Sequence, residues 1–347
     1  MRSGVFFQNY AAEEQLWDSP AARYWMVAFV AILALFPLVA SDYLIAIACI
    51  IGIHVIATLG LNITTGNTGL ISLAHAAFLG VGAYSAAWLS KQGVPFYLVL
   101  PLAGLTAAAT GIVTGLPSLR VKGLYLAIAT LAAHFVLTFI FREWRAVTGG
   151  FGGTNVVSPS LFGFDLGGDR RIYYIIMICA LVVGIATRNL FRTHIGRALI
   201  AVRDRDISAA VIGVNLLKAK LTAFALGAFY AGIAGALLGY YYGAVNPEYF
   251  SLTLAIFYLA ATIVGGLGRI LGSVLGATFM AFVPEALRLG THVLSQWVPS
   301  AAKIVLPMGQ VVFGALIILF LVCEPHGLAE IWARVRRFFH LWPFKTS

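Results

Sequence analysis

Ten apolar runs of roughly 17–25 residues follow one another along this chain, and they constrain its fold more than any motif does. They lie near 24–40, 43–60, 68–90, 95–116, 123–141, 172–187, 222–243, 251–267, 270–288 and 304–323. As a helix rising 1.5 Å per residue, a run of that length crosses a hydrocarbon core about 30 Å thick. Only 10% of the 347 residues are charged. A soluble domain carries about 25%. The expected fold is an all-α polytopic membrane protein with about ten transmembrane helices, eight to ten depending on two ambiguous regions. The run at 172–187 is short, and 251–267 and 270–288 are separated by "GGLGRILG". That pair reads either as two spans or as a re-entrant pair.

The net charge of +10 needs no nucleic acid to explain it. Lys and Arg gather on cytoplasmic loops of membrane proteins. With both termini cytoplasmic, 16 basic residues fall inside and seven outside, which favours that orientation. The chain then divides into a cytoplasmic segment 1–23, a single transmembrane domain 24–323, and a basic cytoplasmic tail 324–347. Residues 1–23 lack the apolar core of a signal peptide. The Gly-rich loop from Arg142 to Arg171 reads as an external connection, with room for a short helix on the membrane surface. Cys49, Cys179 and Cys323 all sit in apolar runs without metal-ligand spacing, so packing is their expected role.

Glycines recur four apart at Gly111/Gly115, Gly235/Gly239/Gly243 and Gly268/Gly272/Gly276. Small residues at that spacing let helix backbones approach closely. Faint similarity between "NTGLISLAHAAFLG" and "LGRILGSVLGATFMAF" raises an inverted repeat, a device of transporters. No energy source is visible on the chain. There is no phosphate-binding loop of the G-x-x-x-x-G-K-[ST] kind, no metal motif and no Ser/His/Asp set. Glu285 is the sole acid inside a run, and His54, His75 and His134 are each alone on their helices. Catalytic, metal and cofactor residues are therefore not expected, and work must come from a separate soluble partner.

Such a partner needs a docking site. "GRALIAVRDRDISAAVIGVNLLKAK", Gly196 to Lys220, collects charges between two apolar runs. "DRDISAAVIG" reads as a short helix, with Asp204 or Asp206 at its start and Gly213 as its stop. Arg203 and Arg205 can reach facing carboxylates. Ala209 and Ala210 permit close approach.

This segment resembles the coupling segment of branched-chain amino acid ABC importer permeases of the LivM type, although "ISAAVIG" keeps only the alanines and glycine of the EAA-type motif. "GLNITTGNTGLISLAHAAFLGVGAY", "LPSLRVKGLYLAIATLA", "TGGFGGTN", "IVGGLGRILGSVLGA" and "CEPHGLA" resemble further blocks of that family in order, over about residues 43–330. The resemblance implies a permease subunit in a bacterial inner membrane, partnered by a paralogous permease, two ATPases that bind ATP and magnesium, and a periplasmic binding protein. It implies Arg203, Asp204, Arg205, Asp206, Ala209, Ala210 and Gly213 as the ATPase-coupling residues.

A small-molecule path through apolar helices needs polar groups. Asn62, Thr64, Thr65, Asn67, Ser72 and His75 crowd around a helix break at "NITTGNTG", with Tyr84, Tyr125 and Thr130 further off. The Asn/Gly cluster reads equally as a tight turn on the cytoplasmic side. Branched-chain amino acids are the first expected substrate; urea, amides and aromatic acids are the alternatives. A stand-alone carrier or channel is a second class. An intramembrane enzyme is a third, and it would require His54, His75, His134 and Glu285 to converge.

Overall fold

The apolar runs become helices, and the charges between them gather at two ends. The structure is a computed structural model that describes residues 20–161, 164–165, 167–297, 327–341 and isolated positions between 311 and 324. The helices are α1 (Pro20–Val39), α2 (Asp42–Leu61), α3 (His75–Lys91), α4 (Phe96–Gly115), α5 (Leu124–Glu143) and α6 (Asp169–Leu190). Then come α7 (His194–Asp204), α8 (Asp206–Val211), α9 (Leu216–Tyr242), α10 (Leu252–Gly265), α11 (Ile270–Trp297) and α12 (Leu328–Leu341). The chain is a multi-pass all-α membrane protein.

Among the described residues, five helices are long and apolar enough to cross a membrane alone: 42–66, 96–115, 124–143, 169–190 and 216–242. The expected run 68–90 is not one helix. α2 runs into a π turn, Asn62–Gly66, and the chain stays irregular until α3 begins at His75. Irregular backbone at this depth is tolerated where protein buries it. Here Thr68, Ser72 and Ala74 are buried, and the Leu73 N–H donates to Thr130 Oγ1 at 3.0 Å. The region 251–288 forms two helices, and α10, at 14 residues, follows a 3-10 turn at Pro247–Phe250 with the extended Ser251 between them. The run at 304–323 falls mostly outside the described residues.

α9 is the axis of the bundle. It packs on α2, α3 and α4, and glycine permits each approach. A Cβ on Gly82 of α3 would strike the backbone of Gly232, and one on Gly235 would strike the backbone of Leu79. Gly111 and Gly115 of α4 face Ala228 and Phe224, and Gly272 and Gly276 of α11 face α10. These repeats pack within the chain.

At one end, Asp42 pairs with Arg170 and Glu285 with Arg288, whose guanidinium also reaches the Tyr43 hydroxyl. The Gly-rich loop closes this end differently from the sequence expectation. Thr154–Asn155 pairs antiparallel with Ala244–Val245, joining the loop to the segment after α9, and Lys91 Nζ donates to Thr154 Oγ1. The opposite, basic end holds the π turn, Lys122, the stretch 192–220 and Arg269.

α1 is held to the bundle by Phe36, which stacks on Tyr173, and by two hydroxyls. Pro37 has no N–H, so the carbonyl four residues back, Leu33, loses its helical donor. Tyr173 of α6 donates its hydroxyl to that oxygen at 3.0 Å, and Tyr174 donates to Ala34 at 3.1 Å. Leu38 still supplies an N–H for Ala34, so the two bonds are unequal. Tyr173→Phe should cost about 1–3 kcal/mol by leaving a half-buried carbonyl unpaired within an apolar helix. Tyr174→Phe should cost less. Thermal melts of the purified variants in detergent check the order, and equal losses would refute it.

Candidate functional site

The basic end is built from two pieces that touch. In the first, the Thr193 hydroxyl caps α7 by accepting from Gly196 N–H, and Arg205 in an extended conformation separates α7 from α8. Gly213, at φ +92°, then turns the chain through the left-handed region that glycine adopts without Cβ strain. Val214 N–H returns to Ala209 O at 2.9 Å, and the Asn215 side chain caps α9 by accepting from Lys218 N–H at 3.0 Å. The result is a six-residue helix held between two sharp corners.

α8 buries Ala209 and leaves Ala210 exposed. Asp206 is anchored to Lys122 at the start of α5. The hydrogen bond from Lys122 holds the Asp206 carboxyl below the ordinary carboxylate range. That contribution is present above the ordinary carboxylate pKa and is lost only as pH falls through the lowered value. The large side chains facing outward are Ile207, Val211 and Ile212, all more than 70% exposed. Arg203, Asp204 and Arg205 border this apolar patch. Sequence reasoning named the alanines and the charges but missed these three. Their spacing in "DISAAVI", i, i+4 and i+5, was the available signal.

In the second piece the π turn grips the α10–α11 corner. Asn62 Oδ1 accepts from Gly268 N–H at 2.8 Å, while Asn62 Nδ2 donates to Arg269 O at 3.1 Å. Asn67 Nδ2 donates to Gly268 O at 3.1 Å. Thr64 Oγ1 donates to Ala223 O and Thr65 Oγ1 to Leu70 O, both at 3.2 Å. Asn62, Thr64, Thr65 and Asn67 are thus brought together with their donors turned to backbone, while Asn67 Oδ1 is buried without a partner among the described residues.

Arg203 joins the pieces. A Cβ on Gly69 would come within 3.6 Å of the Arg203 side chain, and one on Gly268 would run into its guanidinium. Thr68–Leu70, Lys122, Val202–Ser208 and the buried Lys220 enclose a cavity of about 590 Å³ between them.

The remaining path candidates lie elsewhere. Ser72 is buried, and its hydroxyl has no partner among the described residues. His75 donates Nε2–H to Ala57 O at 2.8 Å. Tyr84 lies between Phe141 and Phe250, and its hydroxyl likewise lacks a partner among the described residues. Thr130 receives Leu73 N–H, as above. Tyr125 is 74% exposed on the outside of α5, away from the others. His54 is hydrogen-bonded to the Tyr258 hydroxyl at 2.8 Å, and His75 meets the same ring edge-on. Glu285 is bound to Arg288 at the opposite end. The four groups that an intramembrane enzyme would need do not converge. No group of three metal-binding side chains occurs among the described residues.

The profile of the family described as "Branched-chain amino acid transport system / permease component" matches residues 43–321. The chain is 30% identical to the high-affinity branched-chain amino acid transport system permease protein LivM of Escherichia coli K12, over 88% of this chain and 74% of that one. It is 28% identical to a probable branched-chain amino acid transport permease protein LivH of Methanocaldococcus jannaschii, over 82% of this chain and 90% of that one. It is also 28% identical to the ribose import permease protein RbsC of Haemophilus influenzae, over 60% of this chain and 65% of that one. No solved structure matches the chain.

Proposed function

Because the chain belongs to the family of branched-chain amino acid transport system permease components, we propose that it forms part of a path for branched-chain amino acids across a bacterial inner membrane, driven by separate ATPase subunits. Both termini and the α7–α8 segment face the cytoplasm in this reading, and about ten helices span the membrane. The partners are a paralogous permease, two ATPases that hold ATP and magnesium, and a periplasmic binding protein.

The observation that carries the reading is α8, which presents Ile207, Val211 and Ile212 outward while Ala209 and Asp206 fix it to the bundle. Arg203, Asp204 and Arg205 complete the docking face. Movement of α8 would reach Arg203, then Gly268, and so the Asn62 and Asn67 clasp. Asn62 and Asn67 accordingly position the corner that α8 pulls on, and Thr65 holds the turn between them and Leu70. Ser72, His75 and Tyr84 are the path-lining candidates, since Ser72 and Tyr84 carry buried hydroxyls in need of a polar visitor. Tyr125 is assigned to the lipid interface. The similarity to a ribose permease keeps other small polar solutes, urea and amides among them, as the second reading of substrate.

Co-purification tests the coupling. The chain is expressed with the ATPase and permease encoded beside it, then again with residues 206–213 replaced by a flexible linker. ATPases should be retained by the native chain and lost with the linker. Retention by both would sink the docking role, and retention by neither would favour a stand-alone carrier. A milder change tests the corner. Lys122→Asp should reduce uptake roughly two- to fivefold, the worth of an exposed ion pair. Adding Asp206→Lys should recover part of it, and no recovery would dissociate the pair from transport.

A further inference from the structure

α12 lies beyond the residues that match the family, and, like α7 but unlike the spanning helices, it is charged and amphipathic. "LAEIWARVRRFFHL" holds three arginines in 14 residues, so it is no membrane span. At 100° per residue, Leu328, Ile331, Trp332, Val335 and Phe338 fall in one sector about 120° wide. Arg334 and Arg336 flank that sector on either side, and Arg337 lies opposite. Only the first turn is docked. Ala329 is buried, Leu328 packs on the cluster of Ala260, Ala261, Val264 and Met280, and Glu330 pairs with Arg269. Beyond that turn, Ile331, Trp332 and Val335 are 37%, 56% and 43% exposed. Arg334 is engaged by Glu324, whereas Arg336 and Arg337 are exposed and form no ion pair among the described residues.

We propose that α12 is a membrane-surface helix that lays its Ile331–Trp332–Val335 face into the anionic headgroup layer of the same bilayer. Three observations select this occupant. The docked turn fixes the start of α12 to the α10–α11 corner, beside Arg203 at the basic end of the bundle. The apolar sector is narrow and includes a tryptophan, as in helices that lie in the interface plane. Cations border that sector, complementing lipid phosphates and acidic headgroups. The same Arg269 that holds Glu330 belongs to the corner gripped by Asn62, whose Nδ2 donates to Arg269 O. Lipid bound along α12 therefore bears on that corner.

The test uses the full chain, reconstituted into vesicles of phosphatidylcholine alone or with added phosphatidylglycerol. A spin label is placed at Val335→Cys after Cys49, Cys179 and Cys323 are changed to alanine. With phosphatidylglycerol, the label should become accessible to oxygen and protected from a water-soluble nickel chelate. High salt should weaken this. In Arg336→Gln the on-surface equilibrium should fall roughly fivefold, and in Arg337→Gln, on the side of the helix away from the apolar sector, it should fall less. Should the cysteine-free chain not fold, tryptic cleavage after Arg336 and Arg337 in the native chain reads the same contact, with protection expected only in phosphatidylglycerol. Three results would overturn the proposal. One is nickel access equal in both lipids. Another is protection that appears only when ATPase subunits are added, which would make a protein the occupant. The last is protection that persists in detergent and high salt, which would mean another part of this chain or a second copy covers the face.

Discussion

Uptake should fall at least about tenfold in Gly213→Arg, with the protein still inserted in the membrane at a normal level. A side chain at φ +92° costs on the order of 1–2 kcal/mol, enough to unwind a corner that few contacts hold in place. No heavy atom lies within 4 Å of the position a Cβ would take there, so the bundle feels no clash and insertion is spared. The added cation also lands beside the exposed Ile212. Gly213→Asn is the control, because asparagine tolerates left-handed backbone; it should keep most of the activity. Uptake of labelled leucine, alongside the amount of protein in membranes, decides the matter. Normal uptake in the arginine variant would end the coupling role of this segment.

The largest structural effect is expected from Gly235→Leu. The new side chain would meet the backbone of Leu79, with the Leu79 carbonyl carbon 2.7 Å from its first atom. Backbone cannot rotate away as a side chain can. α3 and α9 would have to separate, at about 3 kcal/mol or more. Gly184→Leu is the matched control. It also lies mid-helix, in α6, but has no neighbour within 4 Å of the added Cβ. Fluorescence-detected size exclusion should show the first variant aggregated and the second monodisperse. Similar profiles for the two would contradict the packing described for α9.

What could be read from sequence divides by the range of the interaction involved. The membrane class and most helices follow from runs of apolar residues, a property of each segment alone. The short helix from Asp206 and its stop at Gly213 follow from local backbone preferences. The Asn62 clasp on Gly268 does not, because its partner lies 206 residues away and nothing nearby marks it. Two readings of "NITTGNTG" were open, path lining or a tight turn, and local pattern has no means of choosing between them. The structure engages its amides with backbone of the α10–α11 corner. The pairing of Thr154 with Val245 was hidden for the same reason. The exposed Ile207, Val211 and Ile212 were hidden for another. Apolar residues in an apolar chain carry little contrast, so only their position outside the bundle distinguishes them.

The central position of α9 also bears on how the protein is made. The glycine faces of α3 and α4 are shaped for a helix encoded more than a hundred residues later. At a synthesis rate of 5–20 residues per second, roughly ten seconds separate the emergence of Gly115 from that of Tyr242. During that interval the early helices sit in the bilayer with their closest-fitting surfaces unfilled. Nascent chains halted before Leu216 should therefore leave the Gly82 and Gly111 faces open to lipid or insertase, and chains released after Tyr242 should close them.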